Sequence, residues 1–542
     1  MDSNKRLLLA IILILAVFLG FQFLMPKPAP QPAVQQTAPA ASEPSAIQPV
    51  LAQPAAGTAK NVKLTAPGLP VTQKVLKGKG FEAVLTSQGA ALSGYRLLDY
   101  MGPDGRPVQM IPDSGRALTM NLSVAGQLVD LSEVVFETGQ EFDGSITYQA
   151  RLAGGVVIQK TYGLLENAPG LNLKIKISAP ADVYLSSKYN LAWGCGLNAT
   201  EKNRELDLKE FSALAMLGKD VVSDNLSKLA KNKDLPVIEG DIAYCGVRTK
   251  YFVAALVPKG RKGASVQQGL KDQDRMTTSL GLPLAASTED EVAVYLGPID
   301  HGMLAKVDPS LDKIADTGWK WIQPISRGIL WFLRSLHNFI PNYGVVIIIF
   351  SVLMKLIFFP LTYTGMRSMK KMQHLQPHLK KVQDQHKNDP GKLNQETMAL
   401  YKKHGVNPFS GCIPLVLQMP VFFALYSVLI NTIELRQAPF MLWITDLSLP
   451  DSIVSFGGKL PLVGWESLSL LPILMGVAMF FQQKMTTVDP KQKMMVYMMP
   501  VFMVFIFMSL PAGLNLYWLI NNILSIGEQY LIHIRTQPPA EA

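Results

Sequence analysis

Catalytic chemistry has little to work with in this chain. Of its 542 residues only 7 are histidine and 3 are cysteine, and between residues 63 and 316 the one histidine is His301. No Gly-x-Ser-x-Gly, His-Glu-x-x-His or Walker A sequence occurs anywhere, and the acidic residues form no legible pair. Those absences favour binding or scaffolding over catalysis, and neither a metal nor a cofactor is expected. Long apolar runs are missing from residues 26–320, which read as ordinary soluble protein, but they fill residues 1–25 and roughly 340–533. The hydrophobic fraction of 48% is therefore unevenly placed. The formal charge of +10, from 51 Lys+Arg against 41 Asp+Glu, in a membrane protein reports orientation rather than nucleic-acid binding.

The chain starts MDSNKR and continues in an apolar run from Leu7 to Met25, 19 residues that at about 1.5 Å rise nearly match a hydrocarbon core of roughly 30 Å. A cleaved signal peptide has a shorter apolar region, on the order of 7–15 residues. An uncleaved anchor over 1–25 is therefore expected, although Ala-Pro-Ala-Ala near Ala38 mimics a cleavage site. Residues 26–62, rich in Pro, Ala and Gln, read as an extended linker. From residue 63 to 316 the pattern turns to period two, most clearly in LNLKIKIS at Leu171–Ser178. Val156–Tyr162, Tyr251–Val257 and Val292–Leu296 are further strand candidates between Gly, Pro and Asn turns. A large antiparallel β-sandwich is expected, interrupted by helix around Glu205–Lys231. Residues 317–341 follow, with Ile322, Ile325, Ile329, Phe332, Leu333, Leu336 and Ile340 on one helical face and Trp319, Trp321 and Trp331 as amphipathic rings. That fits a helix lying in a membrane interface; an amphipathic helix packed on the β domain is the alternative.

Five further spans are expected at 343–363, 411–433, 467–483, 494–510 and 512–533, six in all with the anchor. Lys5 and Arg6 place the N-terminus in the cytoplasm, which puts loop 364–410 inside, 434–466 outside and the tail 534–542 inside. Charge agrees: loop 364–410 holds nine Lys and Arg against Asp384, Asp389 and Glu396, whereas 434–466 holds only Arg436 and Lys459 against four acids. The β domain then lies outside, where a Cys195–Cys245 disulfide is chemically allowed. Two separate buried thiols are the alternative, since spacing does not establish proximity. Loop 364–410 itself reads as two helices joined by Asn388-Asp389-Pro390-Gly391, a hairpin carrying Lys370, Lys371, Lys380 and Lys381. Those lysines are either a solvated face with the orientation signal, or a docking surface for a ribosome or an incoming chain.

Lys355 breaks the pattern, sitting inside VVIIIFSVLMKLIFFPLTY about eight residues, or roughly 12 Å, from the cytoplasmic edge. A central lysine costs about 2.5–3.5 kcal/mol on insertion scales. No acid is expected at matching depth in the other spans, so the reading is a water-filled groove that hydrates the ammonium without a counter-ion. Snorkelling of the side chain to the interface is the alternative. Gln418 lies at nearly the same level, and Ser351 one turn above on the same face. The methionine-dense short spans 467–483 and 494–510 suit a thinned bilayer and an adaptable surface.

The strings GCIPLVLQMPVFFALY at 411–426, ELRQAPFMLWITDLS at 434–448, LPILMGVAMFF at 471–481 and LPAGLNLYWLINN at 510–522 closely resemble the YidC family of membrane protein insertases, whose relatives serve mitochondria and chloroplasts. The resemblance covers the whole chain in order. It implies a polytopic α-helical protein of the Gram-negative inner membrane, with a five-helix core and a large periplasmic β-supersandwich similar to sugar-binding mutarotases. It also implies a hydrophilic groove open to cytoplasm and lipid, with Lys355 where members usually carry arginine, and with Ser351, Gln418, Tyr517 and Trp518 on its face. Clients would be nascent membrane proteins, with ribosome and Sec translocon as partners and lipid as the destination. The tail IRTQPPAEA lacks the long basic extension that many members use at the ribosome. A small-molecule transporter with a charged mid-membrane site is the alternative reading, and a membrane-anchored sugar enzyme is a third that lacks its histidine and carboxylate pairs.

Overall fold

The computed structural model describes residues 69–535, apart from 140, 143, 232–235, 273, 316–319, 387–388, 407–412, 457, 459–464, 466 and 487–492. The expected anchor (1–25) and linker (26–62), Cys412 and nearly all of the tail lie outside the described residues.

Residues 73–298 form an antiparallel β domain, with one sheet of four strands and one of fourteen. The alternating sequence explains its centre. Strand Gly170–Ser178 buries Leu171, Leu173, Ile175 and Ile177 completely while Asn172, Lys174 and Lys176 face outward, and it pairs with Val157–Leu164 on one side and Ser287–Pro298 on the other. Each of these aliphatic side chains contributes about 1.5–3 kcal/mol by leaving water. The helix expected over Glu205–Lys231 is corrected: two short helices, Arg204–Glu210 and Leu226–Lys231, bracket a β-hairpin of Ser212–Leu217 and Asp220–Asn225. Gly218, at φ +59°, makes its turn. Ser212–Met216 is buried on both faces, against Ile238–Arg248 and within the domain core, so the segment shows no alternation to read.

Of the two alternatives left open for Cys195 and Cys245, the structure has two separate buried thiols rather than a bridge. Both thiols are free and buried: Cys245 sits mid-strand opposite Ala215 and Leu256, whereas Cys195 follows strand Leu185–Trp193 and packs on Gly115. Burial pushes each thiol up to about 12, which leaves both inert.

Among the described residues eight longer helices follow: α1 (Gln323–His337), α2 (Tyr343–His374), α3 (Gln376–Gln385), α4 (Pro390–Lys403), α5 (Ile413–Asn431), α6 (Leu470–Thr486), α7 (Lys493–Phe507) and α8 (Ala512–Arg535). Helix α1 buries Ile329, Leu330 and Leu333 against α2 and α5, so its apolar face packs on the other helices rather than on the sheets. Trp331 on its opposite side is 70% exposed. Helix α2 runs without a break from the apolar segment into the predicted hairpin, whose arms are α3 and α4; Asp389 caps α4 by accepting from Gly391 and Lys392 amides. Asp451 does the same for α6, taking the amides of Leu470 and Leu471 at 3.0 and 2.7 Å.

Among the described residues one helix, Tyr343–Met369, is long and apolar enough to cross a membrane; Leu417–Asn431, Leu470–Met485 and Val496–Phe507 are apolar but shorter. Among the described residues the count of six spans expected from the sequence is therefore not confirmed, and the expected anchor lies outside them. What the helices do share is an outward apolar surface. Leu356, Ile357, Val477, Phe481, Val501 and Ile523, on α2, α6, α7 and α8, are each about half exposed or more.

Candidate functional site

Helices α2 and α8 pack side by side, and their contact holds the charges of the apolar region. Lys355 Nζ on α2 donates to Ser525 Oγ at 2.8 Å and lies 2.7 Å from Glu528 Oε2, both on α8 and three residues apart on one face. Ser525 gives its own proton to the Asn521 carbonyl at 2.8 Å, which leaves an oxygen lone pair free for the ammonium. Side-chain exposure is 17% for Lys355 and 6% for Glu528, so the pair is withdrawn from bulk solvent.

A cavity of about 270 Å³ opens beside the pair, lined by Lys355, Gln418, Gln482, Trp518, Asn521, Asn522, Ser525 and Gln529 together with Met354, Phe358, Met366 and Met369. Its lining sets amides, an indole and the lysine among methionines and a phenylalanine, a slot with polar groups in an adaptable apolar surface. Trp518 Nε1 and Asn522 Nδ2 have no protein hydrogen-bond partner. Groups of that kind are met by water or by an incoming chain.

The structure brings together three of the residues proposed from sequence, Lys355, Gln418 and Trp518, around this cavity. Tyr517 stands behind the wall: fully buried, it accepts a hydrogen bond from Gln418 Nε2 at 3.0 Å and so fixes that amide. Ser351 lies away from the cavity, completely buried, with its hydroxyl donated to the Ile347 carbonyl at 2.7 Å. Lys371, Lys380 and Lys381 are exposed on the hairpin, while the side chain of Lys370 lies outside the described residues.

Glu528 corrects the expectation that no acid matches the depth of Lys355. The span end placed at 533 put Glu528 five residues from the edge, roughly 7 Å in. Helix α8 continues to Arg535, and the carboxylate reaches the lysine. The polar stripe Asn521, Ser525, Glu528 at helical spacing was the signal available in the sequence.

The β domain has a cavity of its own, about 360 Å³, whose lining includes Asn198, Arg204, Asp274 and Arg275. Arg204 and Asp274 are ion-paired across it. Among the described residues no group of three or more His, Cys, Asp or Glu could hold a metal ion.

Two family profiles match the chain: one described as the YidC periplasmic domain over residues 74–332, and one described as 60Kd inner membrane protein over 335–539. A curated membrane protein insertase YidC from Chlorobium luteolum is 34% identical over 563 residues, covering 98% of this chain and 95% of its own. The one from Syntrophus aciditrophicus is 33% identical, covering 98% and 99%. Among solved structures, an active YidC insertase with its first transmembrane domain resolved matches over 84% of this chain and 94% of its own, at 18% identity and a TM-score of 0.37.

Proposed function

Because the chain belongs to the YidC family of membrane protein insertases, we propose that the cavity beside Lys355 is where a hydrophilic flank of a newly made membrane protein enters the bilayer. The family is one of insertases rather than enzymes, its place is the membrane, and its clients are nascent membrane proteins. The single observation that carries the mechanism is a lysine held deep in an apolar helix at the edge of a polar slot. Ions that deep are rare and mark a path for polar cargo.

The flank enters from the cytoplasm and meets Lys355, and Gln418, Asn522 and Trp518 exchange hydrogen bonds with its backbone. The apolar segment behind it slides along α2, α5 and α7 into lipid. Partition supplies the driving force, about −0.3 to −0.6 kcal/mol for each central Leu, Ile, Phe or Val. The basic hairpin α3–α4 faces the cytoplasm as a docking surface for the ribosome or the emerging chain, and both termini lie on that side by the excess of lysine in loop 364–410. The protein works alone or beside the Sec translocon. A transporter reading has less support, since the relatives are insertases.

Reconstituted into vesicles, Lys355→Ala or Lys355→Glu should insert a client with an acidic flank several-fold less well than the unaltered chain. Equal insertion contradicts the role given to the lysine.

A further inference from the structure

Lys355 is already answered from within the chain. Its ammonium lies 2.7 Å from Glu528 Oε2 and donates to Ser525 Oγ, so at rest the slot carries a neutral pair rather than a free cation. A buried cation whose only duty was to attract acids would lose most of its reach to such a neighbour. Neither Glu528 oxygen has a hydrogen-bond partner, Oε2 being held by the ion contact alone, and Trp518 Nε1 and Asn522 Nδ2 in the cavity wall are likewise buried without one. The carboxylate is thus held by one ion contact and no hydrogen bond, next to groups that themselves lack a polar partner. Breaking a buried pair is strongly unfavourable when nothing replaces the lost partner, and far less so when an equivalent charge takes its place.

We propose that Glu528 is a resident counter-ion that a client's own carboxylate replaces at Lys355, which makes Glu528 a specificity-determining residue of the insertion slot. The inference rests on the reading of the slot as the client's entry. With Glu528 in place an acidic flank gains little over a neutral one, because it must displace an acid already bound. A neutral flank passes without disturbing the pair. Such a slot is permissive, taking both kinds of client. Removing the carboxylate converts it into an anion-selective one.

The test uses the full chain in proteoliposomes and two clients that differ only in the flank, one with two aspartates and one with two asparagines. The unaltered chain should insert both with efficiencies within about twofold of each other. Glu528→Gln should raise the acidic-to-neutral ratio at least about threefold, Lys355→Gln should drop it below one, and the double change Lys355→Gln/Glu528→Gln should return it near one. Where glutamine at 528 prevents accumulation in the membrane, Glu528→Ser beside Ser525 gives the same readout. A ratio unmoved by the loss of the carboxylate, or an equal fall for both clients, overturns the inference and leaves Glu528 as a purely structural partner. A photoreactive group at position 418 separates this from the parent reading: capture of both clients with an unmoved ratio sinks the counter-ion alone, whereas no capture of either sinks the slot itself.

Discussion

Arg436 and Glu201, 235 positions apart in the chain, meet in a buried ion pair with Nε 2.7 Å from Oε1. Arg436 also donates to the Thr200 carbonyl at 3.0 Å and lies over the Phe252 ring. The carboxylate of Asp207 takes the amides of Thr200 and Glu201, so the acceptor side is itself held in place. Close by, Arg334 on α1 pairs with both Asp300, at the end of the β domain, and Glu434. Two arginines thus fasten the start of the outer loop, and helix α1, onto the β domain.

Arg436→Ala leaves Glu201 buried without its partner and should destabilise that contact by about 3–5 kcal/mol. Limited proteolysis of the purified chain would register it as faster cleavage in 434–451. The double change Arg436→Ala/Glu201→Ala, which removes both charges, should recover part of the loss; a double variant as sensitive as the single one would contradict the pairing.

Lys160 gives a pH dependence. Its side chain is fully buried and its Nζ donates to the carbonyls of Ala90 and Leu118 at 2.7 and 2.6 Å and of Gly89 at 3.2 Å. Burial lowers its pKa to about 7, against 10.5 when unfolded. Between those values the unfolded chain binds more protons, so stability rises with pH across that window and is lost as pH falls toward 7. Melting of the β domain followed at pH 7 and pH 10 should show this rise, and Lys160→Met should flatten it.

How far the sequence disclosed this molecule depended on how one-sided each burial is. Leu171–Ser178 could be read because one face is buried and the other wet, which writes an alternation into the residues. Ser212–Leu217 could not, since both faces are covered and Ala, Leu and Met favour helix until a neighbouring strand captures them. Lys355 stood out because a charge deep in an apolar run is costly, and Gln418 followed from depth alone. Glu528 escaped because depth was measured from a span end two residues short of the helix, which placed a buried carboxylate near the interface. Ser351 shared the right face by spacing, but its hydroxyl is spent on its own helix, a choice that only packing reveals.

Thiol labelling separates the cavity wall on α5 from the packed interior of α2. In a background without the native cysteines, Gln418→Cys should react with a membrane-impermeant maleimide added from the cytoplasmic side, whereas Ser351→Cys should stay unmodified. The first lines the cavity and the second is completely buried. Equal labelling of both would mean that water reaches well beyond the cavity described.

The central claim is that a client's polar flank passes beside Lys355, and site-specific photocrosslinking during synthesis tests it most directly. A photoreactive residue at Gln418, in the cavity wall, should capture the hydrophilic flank of a nascent client, while one at Gln88, on the β domain, should not. Capture at Gln88 with none at Gln418 would contradict the account.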